Sequence, residues 1–75
     1  MTETLEYTVI LERGESNWSA FVPDLPGCVA AAATRQETEQ LIREAVELHV
    51  ALMREDGDAL PEPRTLAGLV AVPAR

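Results

Sequence analysis

Thr34-Arg35-Gln36-Glu37 has the form of a capping box, in which the threonine hydroxyl accepts from the Glu37 amide and the Glu37 carboxylate reaches back to the Thr34 amide. Behind it Leu41, Ala45, Leu48 and Leu52 recur at helical spacing, and Ile42, Val46, His49 and Met53 repeat alongside, making a wide apolar face. Glu55-Asp56-Gly57-Asp58 ends the pattern, with Gly57 suited to a left-handed C-terminal cap, and Pro61-Glu62-Pro63 forces an extended connection. One long helix over about residues 35–55 is therefore expected. In a chain of 75 residues this leaves room for a single domain and one small sheet.

The sheet is read from residues before the helix. Leu5, Tyr7, Val9 and Leu11 alternate with Glu6, Thr8, Ile10 and Glu12, which predicts a strand over about 5–12 with one buried face. Arg13-Gly14-Glu15-Ser16-Asn17 supplies a turn, with Gly14 free to take positive φ, and a second strand over 18–22 completes a hairpin. Pro23-Asp24-Leu25-Pro26-Gly27 stops that strand by removing donors and fixing φ, and a third strand over 28–33 follows. Its alanines are weak strand formers, but their small side chains let a helix approach the sheet. After the helix, Leu66 to Val72 fits an edge strand or an extended tail equally well.

Charge and composition exclude several function classes. Thirteen acidic residues stand against six basic ones, all arginine, for a formal net charge of −7, which repels phosphate backbones and favours a basic protein partner. No apolar run approaches the ~20 residues that span a bilayer. Met1-Thr2-Glu3-Thr4 does not resemble a secretory signal, so a cytoplasmic location is expected. Cys28 and His49 are each single, so no zinc-ligand cluster is expected, and Cys28 is read as a small buried hydrophobe. Glu39, Arg43 and Glu47, spaced by four, read as a solvated helix face joined by i to i+4 ion pairs. No glycine-rich phosphate cradle or nucleophile elbow is present, and the expectation is a protein without enzymatic activity, cofactor or metal.

Taken together, Tyr7-Thr8-Val9-Ile10-Leu11, then Trp18 through Val22 with Pro23-Asp24-Leu25-Pro26-Gly27-Cys28, then the Thr34-led helix carrying Glu44-Ala45, resemble the HicB antitoxin family. Leu60-Pro61-Glu62-Pro63 is similar to the family's segment after the helix, so the resemblance covers about residues 5–64. The resemblance implies an α+β, partial ribonuclease-H-like βββα(β) domain: an antiparallel sheet backed by one long helix. It further implies binding and neutralisation of a small basic HicA-type RNA-cleaving toxin. Many members carry a C-terminal ribbon-helix-helix or helix-turn-helix segment. No such segment is recognised within residues 1–75, and this chain by itself is expected not to bind DNA. Ala31-Ala32-Ala33 departs from the glycine or acidic residue that the family usually has before the capping threonine.

Partner contacts are expected from Trp18, Phe21, Pro23, Asp24 and Leu25. If Tyr7, Val9 and Trp18 face the helix, then Thr8, Ile10, Ser19 and Phe21 point to the other face, which one helix cannot cover. A domain this small buries only about 60% of its unfolded surface. Association as a homodimer or a dimer of dimers is the expected remedy. The alternative to the antitoxin reading is an orphan homo-oligomer of the same fold with no toxin partner, binding a small ligand between protomers.

Overall fold

The computed structural model describes residues 4–75; Met1, Thr2 and Glu3, most of the opening tetrapeptide, lie outside the described residues. Three strands come first, β1 (Ile10–Arg13), β2 (Trp18–Phe21) and β3 (Val29–Ala32), and one helix follows, α1 (Arg35–Glu55). The strands form an antiparallel sheet in the order β1-β2-β3, an α+β arrangement.

Local chemistry explains where each element ends. The hairpin closes through the Gly14 amide, which donates to the Asn17 carbonyl at 2.8 Å. Gly14 does not use the positive φ expected of it. A Cβ there would lie 2.6 Å from the Asn17 Oδ1, so the Asn17 side chain would have to swing aside. The first strand was expected from residue 5, but pairing starts at Ile10 opposite Phe21. One residue beyond Phe21, the Val22 amide donates to the Cys28 carbonyl, and the chain turns away through Pro23, Asp24 and Gly27, the last at φ 85°. Residues 5–9 therefore face no partner strand, and β2 stops one residue short of the expected 22. β3 occupies 29–32 within the expected 28–33.

α1 has the expected bounds. Thr34 Oγ1 accepts from the Glu37 amide at 3.1 Å. The return contact differs from the expected one, since the Glu37 carboxylate accepts from the Thr34 hydroxyl at 2.9 Å. At the other end Gly57 takes φ 77°, its amide donates to the Arg54 carbonyl, and the Asp58 amide donates to the Met53 carbonyl, a complete Schellman cap.

The core lies between α1 and the sheet: Ala20, Val22, Leu25, Cys28 and Ile42 are buried, with Tyr7, Val9, Leu11, Ala30, Val46 and Val50 packed on them. Ala20 faces Ala30 across the β2–β3 pair, and this alanine row lets the helix come close. The buried Thr38 hydroxyl donates to the Thr34 carbonyl at 2.8 Å, which satisfies it within the helix. Only part of the expected apolar face is used. Leu41, Leu48 and Leu52 remain exposed, because α1 packs chiefly over β3 and β2 and its broad stripe overhangs a sheet only three strands wide.

Residues 58–75 contain no helix or strand, so the segment 66–72 takes the extended-tail alternative. Its approach is tied to the body. The Tyr7 hydroxyl donates to the Pro61 carbonyl at 2.6 Å, and the Thr8 hydroxyl donates to the Thr65 carbonyl.

Candidate functional site

The five residues expected to meet a partner do not form one surface. Trp18 shares the helix-facing side of the sheet with Ala20, half-buried at the hairpin end, with the Arg35 guanidinium 6.0 Å from its ring centroid. Phe21 points from the opposite side, in a cross-strand row with Ile10 and Val29. Both Phe21 and Val29 are exposed, so this row offers a flat apolar contact. Leu25 has no accessible surface at all and anchors the core beneath the turn. It cannot present a side chain to a partner.

Pro23 is half-buried in the same turn, beside Asp24, whose role is internal. The Asp24 carboxylate accepts from the Arg64 amide, the Thr65 amide and the Thr65 hydroxyl, each at 3.0 Å. These bonds, led by that from the Thr65 amide and helped by the Arg64 charge, hold its pKa below the ordinary carboxylate value of 3.8 against the opposing cost of partial burial. Asp24 thus clamps the connection after the helix to the turn after β2. Sequence reading missed this because the partners lie forty positions away, and a single turn aspartate carries no local mark of them.

A second feature lies on the helix side of β1. Because α1 sits towards β3, it leaves a groove of about 340 Å³ between itself and residues 5–11, the segment that leads into β1. Leu5, Tyr7, Val9 and Leu11 form one wall and Ile42 and Val46 the other, with Glu39, Arg43 and Glu47 at the rim. The period-2 alternation of residues 5–11 was the signal for this wall; it was read as a buried strand face, and Tyr7, Val9 and Leu11 do pack against the core while Leu5 is exposed. Arg43 makes neither expected ion pair. On the helix, Arg35 pairs with Glu39 at 2.7 Å instead, among the described residues.

Cys28 and His49 line one shallow depression with Leu48 and Leu52. Burial pushes the Cys28 thiol up from its ordinary value of 9.0, the opposite of an activated nucleophile. Among the described residues no group of three or more His, Cys, Asp or Glu side chains is placed to hold a metal ion. No helix among them is long and apolar enough to cross a membrane.

Against known proteins, a family model described as "HicB_like antitoxin of bacterial toxin-antitoxin system" matches residues 7–74. An uncharacterized 14.9 kDa protein from the rep-hol intergenic region of Haemophilus phage HP1 is 30% identical over 67 residues, 89% of this chain and 50% of that protein. A UPF0150 protein of Helicobacter pylori is 36% identical over 47 residues, 63% of this chain and 65% of that protein. The chain thus spans half the length of the phage relative and less than two thirds of the other.

Proposed function

We propose that this chain, which belongs to the HicB-like antitoxin family, binds and neutralises a small basic HicA-type RNA-cleaving toxin and performs no catalysis of its own. The family match over residues 7–74 is the observation that carries the reading. Net charge supports it: at −7, the chain draws a basic partner in by long-range attraction and repels the RNA that such a partner cleaves. The order of three antiparallel strands followed by one helix fits a partial ribonuclease-H-like domain. The site of action is the bacterial cytoplasm, where RNA substrates are found, and the chain works as a homodimer or dimer of dimers.

Calorimetric titration of the purified chain with a small basic HicA-type toxin tests this. A saturable complex with sub-micromolar affinity that weakens as salt is raised is expected. No heat and no co-elution at micromolar concentration would refute the toxin partner. The alternative of an orphan homo-oligomer rests on the open apolar groove beside β1, and the same null result combined with a stable oligomer would favour it.

A further inference from the structure

One flank of α1 is sorted by charge. Leu41, Leu48 and Leu52 recur there at helical spacing and are 42%, 62% and 52% exposed, an apolar ridge that runs about 16 Å along the helix. Each leucine has an exposed glutamate three or four positions away, the separation at which helical side chains are neighbours: Glu37 beside Leu41, Glu44 beside Leu41 and Leu48, and Glu55 beside Leu52. Among the described residues none of these three glutamates is in an ion pair. The arginines of the helix lie elsewhere. Arg43 and Arg54 line the grooves on the side of Leu5 and Tyr7, and Arg35 sits by the Trp18 ring.

A depression of about 170 Å³ opens at the C-terminal half of the ridge, where Leu48 and Leu52 meet Ala45 and the Gly27-Cys28-Val29 stretch. An apolar centre, a pocket for one side chain and a rim of charged groups together have the anatomy of an interface. The other open surfaces lack the combination. The outward residues of the three strands are Ile10, Glu12, Ser19, Phe21, Val29 and Ala31, with a single charge among them. At the groove beside residues 5–11, Arg43 stands between Glu39 and Glu47 and offsets them.

We propose that this flank of α1 is where the chain docks a small basic protein, whose Arg or Lys side chains meet Glu37, Glu44 and Glu55 while an apolar side chain enters the depression beside Leu48. The assignment rests on the antitoxin reading and gives its basic partner a place to bind. Charge decides against a second copy as the occupant. In a symmetric pair the same patch meets itself, which brings the glutamate row of each copy to one seam with no arginine to answer it. Like charges set against each other across an interface are costly, whereas a basic surface makes the same three carboxylates attractive.

A methyl-labelled sample of the chain, titrated with a small basic HicA-type toxin, provides the test. The Leu41, Leu48 and Leu52 methyl resonances are expected to shift on binding, while those of Leu5 and Ala31 stay in place. Leu48→Asp is expected to raise the dissociation constant at least about thirtyfold with helix content unchanged, because the side chain is 62% exposed in the free chain. Glu44→Arg raises it several-fold and makes its salt dependence shallower. Leu5→Asp at the groove and Ala31→Asp on the outer sheet face leave the affinity as it is. Absence of any complex with the unaltered chain overturns the toxin reading and the docking flank together. A complex indifferent to Leu48→Asp and Glu44→Arg, or one whose shifts centre on Leu5 or Ala31, overturns the flank alone. So does a homodimer of the free chain that Leu48→Asp dissolves, since a second copy then covers the ridge.

Discussion

Asp24 illustrates how one side chain fixes the path of a distant segment. Its three hydrogen bonds require the charged carboxylate, because a protonated acid accepts fewer and weaker bonds. The folded pKa is lowered from 3.8, so the clamp's contribution is fully present above that value and is lost as pH falls through the lower folded pKa. The Thr65 amide resonance should titrate with a midpoint below 3.8, and Asp24→Asn should abolish that titration while speeding exchange of the Arg64 and Thr65 amides at neutral pH. A midpoint at or above the ordinary value would show that the clamp does not persist in solution. Glycine 27 is a different kind of single-residue constraint. At φ 85° a side chain is strained, yet a Cβ would meet nothing within 4 Å, so Gly27→Ala should cost only the backbone term of about 1–2 kcal/mol. Gly68→Ala, in open space without positive φ, should stay within about 0.5 kcal/mol by the same denaturant titration.

At the scale of elements, the helix was legible because its signals are local: a capping threonine, apolar spacing near 3.6, and a glycine three residues after Arg54. The strands were legible in number and order but not in extent, since pairing depends on where Pro23 turns the partner strand away. The rotation of the helix was not legible either. Leu48 and Ile42 carry the same pattern weight in the sequence, and only the position of α1 over β2 and β3 decides that Ile42 is 3% exposed and Leu48 is 62% exposed. Ile42→Ala should therefore cost about 2–5 kcal/mol and Leu48→Ala well under 1 kcal/mol in urea unfolding at fixed protein concentration. Equal costs would mean that the helix is turned differently on the sheet. The candidate partner residues are dispersed for a related reason. Period-2 alternation separates Trp18 and Phe21 onto opposite faces, and the burial of Leu25 depends on a turn that packs under the helix.

As a whole molecule, the chain joins a small core to a strongly acidic surface and an extended apolar tail. The core suffices to position α1 and the sheet, while the surface and the tail are the parts available to other chains. Family membership makes a toxin the first partner to test, and the electrostatics give that encounter a salt dependence. The most direct measurement is RNA cleavage by a small basic HicA-type toxin, followed while this chain is titrated in. Cleavage should fall to background near one equivalent, with full activity restored when the chain is removed by proteolysis. Undiminished cleavage at a tenfold excess of folded chain would contradict the antitoxin account.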